Sequence, residues 1–316
     1  MANRVLALAG GVGGAKLALG LARVLSPEAL TIIVNTGDDD EPHGLPVSPD
    51  LDTVTYTLAG LANPEMGWGL AGDSRRVLDA LGRLGSDTWF WLGDLDIATH
   101  IRRAELLRAG RMLSEATAEI SSRLGVKHTI APMTDDRVRT VVDTDEGVLP
   151  FQDYFVRRRC EPRVNRLIFD GAEGAKPSPV FDEALDNAAA VVFCPSNPFL
   201  SIGPILAVPT VRDCLVSRPG RPLAVVSPII GGQAVKGPAA RLFEELLGEA
   251  PSALGVARHY RGQVSHFVLD NEDAALSHEV ESLGYSVLVT QTLMKTEEDK
   301  IALARAVCDF VGVETA

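Results

Sequence analysis

The chain has 316 residues, of which 46% are hydrophobic and 23% are charged, and this globular composition excludes disorder as its main state. At about 100 to 200 residues per domain, the length suits one large domain or two modest ones. With 30 basic and 42 acidic residues, the formal charge is −12. Such a charge repels a nucleic-acid backbone and favours a small-molecule ligand, although a local basic patch could still hold an anion.

Cysteines and hydrophobic segments narrow the class of protein further. The four cysteines are widely separated and lack zinc-ligand spacing, so we predict reduced thiols. The N-terminal residues do not show a leader pattern, and no apolar span of 18 residues is visible. We therefore expect a cytoplasmic protein that engages neither a membrane nor a nucleic acid.

The first elements in the chain predict a βαβ unit. Arg4 to Ala9 form a continuous apolar run, which suits a strand that is covered on both faces in a parallel sheet. A helix is predicted from Ala15 to Leu25, and a second strand from Thr31 to Asn35.

Glycines fill the turn between the first predicted strand and the helix, in the order Gly10-Gly11-Val12-Gly13-Gly14-Ala15-Lys16. Glycines at such a turn let the backbone approach a phosphate at the helix N-terminus. The turn does not fit GxGxxG, because Lys16 stands where Gly or Ala is needed. It does not fit Walker A, because Leu17 replaces Ser or Thr. A nucleotide-phosphate loop of another lineage and a tight turn that needs positive φ are the alternatives, and the density of glycines favours the first.

Acidic residues follow the second strand, where open α/β sheets bind ligands. Asp38 to Glu41 form one run, and Asp50 and Asp52 open the helical stretch Val54 to Leu61. A solvated acidic loop and simple helix caps are the alternatives for these carboxylates. Two carboxylate clusters beside a phosphate cradle favour Mg²⁺ bridging to a diphosphate.

The middle of the chain combines aromatic residues with helices. Trp68 lies in a glycine-rich loop, where it is either a packing anchor or a stacking surface for a flat ring. Trp89 to Asp96 are predicted as a strand that runs into a Gly-Asp turn, and Thr99 to Leu124 as helices. On the first of these helices, His100, Arg102 and Arg103 could reach an anion, although a solvated face is the simpler interpretation.

From Lys127 to Asp170 the segments become short and alternating, which predicts an antiparallel insertion. The α/β pattern then resumes with a strand at Ala189 to Cys194, whose following turn carries Ser196 and Asn197. Their hydroxyl and amide groups suit an anion or a base edge. We predict one α/β domain over residues 1–316, with a Rossmann-like, doubly wound, mainly parallel sheet and an inserted α+β subdomain at roughly residues 95–175.

The chain resembles the 2-phospho-L-lactate transferase family of coenzyme F-420 biosynthesis over essentially its whole length. Ten segments carry the resemblance in matching order: AGGVGGAK, NTGDD, HGLPVSPDLDT, GWG, LGDLDIATHI, PMTDDRV, FQDYFV, PSNPFLSIGPILAVP, SPIIGG with its following KGP, and ARHY. None of them is a common short motif, so the match is specific.

The resemblance implies transfer of a phospholactyl-type group from a guanosine diphosphate ester to the terminal ribityl hydroxyl of the deazaflavin Fo, with release of GMP and a requirement for Mg²⁺. It implies catalytic roles for Asp50 and Asp39, with Asp50 at the Fo hydroxyl. Magnesium would be held by Asp38, Asp39, Asp50 and Asp52. Substrates would be bound by Gly11, Val12, Gly13, Gly14, Lys16, Asn35, His43, Trp68, Trp91, Ser196 and Asn197, with Trp68 and Trp91 at the deazaflavin and Ser196-Asn197 at the guanosine side.

Two rival functions come from other classes. A related family of bacterial regulators that bind nucleotide sugars without catalysis shares the glycine start, but a sensor needs no paired acidic clusters. A nicotinamide-dependent oxidoreductase is disfavoured by the broken GxGxxG and by Asn35, which replaces the acid expected at the end of the second strand. Phospholactate, phosphoenolpyruvate and phosphoglycerate stay open as the donor acid. A homodimer is the expected assembly.

Overall fold

Seven parallel strands form the central sheet of the computed structural model, which describes residues 4–218, 220–234 and 238–315. Their order across the sheet is β3-β2-β1-β7-β8-β11-β12. These strands are β1 Val5–Ala9, β2 Leu30–Val34, β3 Thr129–Pro132, β7 Ala190–Phe193, β8 Leu223–Val226, β11 His266–Asp270 and β12 Ser286–Thr290. The remaining strands form a three-stranded and a two-stranded antiparallel sheet: β4 Arg139–Thr144, β5 Gly147–Pro150, β6 Val164–Asp170, β9 Ile229–Ile230 and β10 Gln233–Ala234.

Helices cover both faces of the central sheet. They are α1 Gly11–Val24, α2 Pro49–Leu58, α3 Arg76–Arg83, α4 Asp94–Arg108, α5 Leu113–Arg123, α6 Pro179–Asn187, α7 Gly203–Ala207, α8 Pro209–Val216, α9 Ala239–Leu247, α10 Ala253–His259, α11 Ser277–Ser282 and α12 Glu297–Phe310. Alternate residues of β1 enter two different cores: Leu6 and Leu8 pack on the side of α6, α8 and α10, whereas Val5 and Ala7 pack on the side of α1, α2 and α12. This layering confirms the prediction of a doubly wound α/β fold.

The order of the strands determines where a ligand can bind. From β1 the chain proceeds to β2 and β3 on one side, and later from β7 to β12 on the other. The connections therefore diverge between β1 and β7, which leaves a crevice beyond the carboxyl ends of these two strands. The glycines that follow β1 and the Ser196-Asn197 turn that follows β7 both lie at this crevice.

Three predicted elements are wrong. The glycines are not a loop before the helix, because α1 already begins at Gly11. Trp89 to Asp96 form no strand: an irregular segment leads into α4 at Asp94. The strand Thr129–Pro132 belongs to the central sheet, where it pairs in parallel with β2, so the antiparallel sheet starts only at Arg139.

The division of the chain into one domain with an insertion stays a prediction. Lys236 and Gly237 of the KGP motif lie outside the described residues. Within residues 4–218, 220–234 and 238–315, no single helix has the length and hydropathy to cross a bilayer. One broken pair, Pro198–Ala207 with Pro209–Val216, meets the criterion by length and composition, with a bend of 92°.

Candidate active site

A cavity of about 660 Å³ occupies the crevice between the carboxyl ends of β1 and β7. Five parts of the chain form its walls: the start of α1, the start of α2, the turn after β7, the segment after β8 and the segment after β12. An aromatic wall comes from residues 68–69, 90–92 and 151–156, and Asp38, Asp96 and His100 also line the cavity. The site therefore joins a helix N-terminus, buried acids and flat rings in one enclosure.

The glycines of the first turn of α1 are required by close packing. A Cβ at Gly13 would lie 2.2 Å from the carbonyl oxygen of Pro195, and one at Gly14 would lie 2.6 Å from Ser196 Oγ. Gly11 has a φ of 63°, which favours glycine. Both the tight turn and the helix N-terminus are thus present, and the first N–H groups of a helix have no intrahelical acceptor. Val12 and Gly13 line the cavity at this end, where an anion is favoured.

Asn35 links two buried carboxylates beside that helix end. Asp50 Oδ1 accepts a hydrogen bond from the Gly11 backbone N–H at 2.7 Å, and its Oδ2 accepts one from Asn35 Nδ2 at 3.0 Å. Asn35 Nδ2 also donates to Asp38 Oδ1 at 3.1 Å. Asp38 and Asp50 line the cavity, whereas Asn35 lies behind them and holds them together.

Burial dominates the electrostatics of these acids. It raises the pKa of Asp50 to about 6, although the hydrogen bonds from Asn35 and Gly11 oppose the rise. It also raises the pKa of Asp38 well above the ordinary 3.8, and the nearby charges of Asp50 and Asp39 add to the effect. Two buried carboxylates in contact with the same amide form a site that a cation would stabilise.

The other two predicted metal ligands have different surroundings. Asp39 Oδ2 accepts a hydrogen bond from Ser48 Oγ at 2.8 Å, its Oδ1 is buried without a partner, and the residue is not among those that line the cavity. Burial raises the pKa of Asp39 to about 7. Asp52 lines the cavity, but both of its oxygens accept hydrogen bonds from the buried guanidinium of Arg103. Asp52 is therefore already neutralised by a cation of the protein.

Trp68 and Trp91 are brought together on the aromatic wall. Their ring centroids are 5.5 Å apart with an edge-on geometry. Phe151 and Phe155 stack at 5.2 Å and line the same cavity, as does Phe90. The enclosure therefore offers several aromatic surfaces to a flat ring.

The remaining predicted contacts divide into those at the cavity and one away from it. Lys16 lines the cavity, and its Nζ donates to the carbonyl oxygen of Met294 at 2.9 Å. Ser196 Oγ accepts from the Gly10 N–H at 3.0 Å, while Asn197 Oδ1 caps the next helical turn by accepting from two backbone N–H groups. His43 is exposed on the short turn Pro42–Gly44 and is not among the cavity residues.

Sequence reasoning missed a polar group that lines the cavity next to these acids. Asp96 and His100 are one helical turn apart on α4, and Tyr56 donates its hydroxyl to Asp96 Oδ1 at 2.7 Å. His100 had been interpreted as part of a solvated face, yet it is only 1% exposed. The spacing of an acid and a histidine at i and i+4 directly after the WFWLG run was the available signal.

The topology, the cavity at the strand ends and the buried acids together define a doubly wound α/β protein with an acidic cavity. Comparison with known proteins identifies its family. The chain belongs to the 2-phospho-L-lactate transferase CofD family, whose model matches residues 5–306. This membership makes the protein a transferase and confirms the resemblance noted in its sequence.

Individual relatives match over almost their whole length. A protein of Methanopyrus kandleri named 2-phospho-L-lactate transferase is 43% identical, over 98% of this chain and 97% of its own. A protein of Streptomyces griseus subsp. griseus named phosphoenolpyruvate transferase is 40% identical, over 96% of each chain. A solved structure from the UPF0052 family of Bacillus halodurans is similar with a TM-score of 0.62 and 16% identity, over 97% of this chain and 99% of that one. At that identity it shows the fold alone.

Proposed function

We propose that the protein transfers a phosphorylated three-carbon acid from its guanosine diphosphate ester to the terminal ribityl hydroxyl of the deazaflavin Fo, with release of GMP. The observation that carries this proposal is the position of Asp50. Its carboxylate contacts the N-terminus of α1 and lines a cavity whose far wall is aromatic. A helix N-terminus, a buried carboxylate and aromatic rings thus lie around one cavity, which supports transfer between a nucleotide ester and a flavin-like alcohol.

The reaction itself asks mainly for positioning and charge stabilisation. The acceptor's hydroxyl oxygen forms a bond to the phosphorus remote from guanosine, and the bond from that phosphorus to the bridging oxygen breaks. The electron pair leaves with GMP. Asp50 receives the hydroxyl proton or orients the hydroxyl, because its carboxylate lies on the cavity wall beside the N-terminus of α1. The N–H groups of Val12 and Gly13 offer hydrogen bonds to the phosphate oxygens.

The acidic residues fit a magnesium ion. Asp38 and Asp50 supply carboxylate oxygens, the ligands that Mg²⁺ prefers, and burial raises the pKa of both. When bound there, Mg²⁺ would neutralise the charge of the diphosphate. Asp39 is the remaining candidate from the predicted set, because its Oδ1 is buried without a partner. Asp52 is excluded from this proposal by its pairing with Arg103.

The two substrates are assigned to opposite ends of the cavity. Trp68 and Trp91 would contact the deazaflavin ring, while Lys16 and the Ser196-Asn197 turn would contact the guanylated donor near α1. The relatives carry two names, 2-phospho-L-lactate transferase and phosphoenolpyruvate transferase, so both acids are donors to be tested, with phosphoglycerate as the third.

Incubating the purified protein with Fo, Mg²⁺ and each of the three guanylated donors tests the proposal. Mass analysis should find GMP together with the conjugate of Fo, and one donor should give the greatest turnover. Asp50→Asn, which keeps the size of the side chain, should lower kcat by at least about 100-fold. The proposal is wrong if the folded protein yields no conjugate with any of the three donors.

A regulator without catalytic activity is the alternative that family membership does not favour. The similarity to the UPF0052 structure is confined to the fold. Binding of a nucleotide with no turnover of any donor would support that alternative. The homodimer, the cytoplasmic location and the lack of nucleic-acid partners stay predictions, which light scattering and fractionation can test.

A further inference from the structure

The polar group formed by Tyr56, Asp96, His100 and Arg103 has no role in the proposed transfer as described so far. All four residues are buried, with the Asp96 side chain 11% exposed, and three of them, Tyr56, Asp96 and His100, line the cavity. Buried polar atoms normally have partners, because leaving one without a hydrogen bond costs about 1–3 kcal/mol. An exception on a cavity wall therefore points to a ligand.

Two atoms of the group have no hydrogen-bond partner, Nε2 of His100 and Nε of Arg103, and of these two residues only His100 lines the cavity. Nδ1 of the same ring lies 3.2 Å from Arg103 Nη1. Because a guanidinium can only donate, Nδ1 must accept, and in the neutral ring the proton is then on Nε2. His100, a residue of the cavity wall, consequently carries its N–H donor on Nε2, while Arg103 holds Nδ1.

Asp96 places an acceptor next to that donor. Its Oδ1 is 3.4 Å from His100 Nε2 and already accepts the Tyr56 hydroxyl. Burial alone would raise the pKa of Asp96, but its contacts with His100, Tyr56 and Arg103 outweigh burial and lower that pKa, so the group is a carboxylate. A hydroxyl accepts from His100 and donates to Asp96 with a single oxygen, whereas a ring carbonyl only accepts and a ring imide needs two separate atoms for the two contacts.

Asp52, Asp96 and His100 also have ligand atoms within 4.8 Å of one another, an arrangement that could suggest a metal ion. Arg103 argues against one, because its guanidinium pairs with Asp52 and directs donors at His100 Nδ1. A cation would be repelled by this fixed positive charge. The group is therefore built for hydrogen bonding.

The position of the group formed by Tyr56, Asp96, His100 and Arg103 indicates which substrate it contacts. Asp96 and His100 follow Trp91 on the aromatic side, and Arg103 connects them to Asp52, which shares the first turn of α2 with Asp50. The group thus lines the same cavity as the proposed ring surface and the proposed base. We infer that His100 donates from Nε2 to a hydroxyl oxygen of the ribityl chain of the acceptor, and that Asp96 accepts from the same hydroxyl. This inference rests on the proposed function. The pair selects an acceptor with a polyol chain and sets the reach of its terminal hydroxyl.

Two substitutions separate the functions of the two ring nitrogens. His100→Asn keeps an acceptor near the Nδ1 position for Arg103 but removes the donor at Nε2. His100→Gln places an amide N–H2 close to the Nε2 position. His128→Asn is the control, because His128 precedes β3 at the opposite edge of the sheet, where its Nε2 contacts the carbonyl oxygen of Leu25.

The experiment compares Kd and KM for Fo with those for a deazaflavin that carries a methyl group in place of the ribityl chain. In His100→Asn, the Kd and KM for Fo should rise about 5- to 30-fold, the loss expected for one or two kcal/mol. The Kd of the methyl analogue and the KM of the guanylated donor should stay within twofold. His100→Gln should recover part of the affinity for Fo, and His128→Asn should behave as wild type. Thermal melting checks that each variant is folded.

Three results would overturn the inference: unchanged affinity for Fo in folded His100→Asn, an equal loss for Fo and for the methyl analogue, or a loss confined to the donor. A different result would refute the proposed transfer reaction. If the wild-type protein binds Fo but produces no conjugate, the reaction is wrong, while the binding comparison still decides the role of His100.

Discussion

Asp39 is a buried acid whose charge should destabilise the protein at neutral pH. Its Oδ1 has no partner, and burial raises the pKa from the ordinary 3.8 to about 7. The folded protein therefore binds a proton at this residue under conditions where the unfolded chain has released it. By linkage, the contribution of Asp39 to the free energy of unfolding is fully present below pH 4, decreases as pH rises, and is lost above pH 7.

The size of the effect can be worked out from the same values. The difference between 3.8 and about 7 corresponds to about 4 kcal/mol, and about 2–3 kcal/mol of it falls between pH 5 and pH 8. Asp39→Asn removes the titration and keeps the acceptor for Ser48. The buried amide N–H2 has a cost, but that cost is the same at both pH values and cancels in the comparison.

Urea unfolding in the presence of a chelator, at pH 5 and at pH 8, measures this difference. Asp39→Asn should gain about 2–3 kcal/mol relative to wild type on going from pH 5 to pH 8. Asp40→Asn, on the next and more exposed residue, serves as the control and should show no such gain. An equal change for Asp39→Asn at both pH values would refute the argument that burial holds a proton on this carboxyl.

Three further predictions concern the cavity. Gly13→Ala should lower the free energy of unfolding, measured in urea, by about 1–3 kcal/mol, because its Cβ would meet a carbonyl oxygen at 2.2 Å. Gly174→Ala, which has open space around it, is the control and should leave that free energy unchanged. Similar losses in the two variants would contradict the packing argument. Trp91→Ala should raise the KM for Fo about tenfold and leave the donor's KM unchanged, and a shift in the donor's KM alone would reassign this wall. Mg²⁺ should raise the Tm of the wild-type protein more at pH 8 than at pH 5, because burial raises the pKa of Asp50 to about 6 and a protonated carboxyl binds no cation. Asp50→Asn should abolish this difference in Tm. An equal rise in the Tm of the wild-type protein at both pH values would contradict the proposed magnesium site.

Features that depend on neighbouring residues could be predicted from the sequence. The apolar run before Gly10 predicts β1, and the acids at Asp38 and Asp50 were placed correctly at the ligand-binding edge of the sheet. Hydrophobic periodicity and the position of polar residues after strands are local properties, so they are visible in the amino-acid sequence. The ten motifs added the family, which the comparisons confirm.

Features that depend on pairs of residues far apart in the chain could not be predicted from the sequence. The sequence does not show that Asp52 pairs with Arg103, 51 residues away, or that the glycines of α1 pack against Pro195. It also predicted an exposed position for His100, since a helix face is solvated or buried according to what packs on it.

The sequence by itself therefore determined the fold class, the family and the acidic residues that follow β2. The tertiary structure alone decided which of the four aspartates line the cavity, which one pairs with Arg103, and that His100 is buried. The physical reason is that burial, ion pairing and hydrogen bonding are set by residues that meet only when the chain is folded, and these interactions determine the charge and the free donors of every side chain in the cavity.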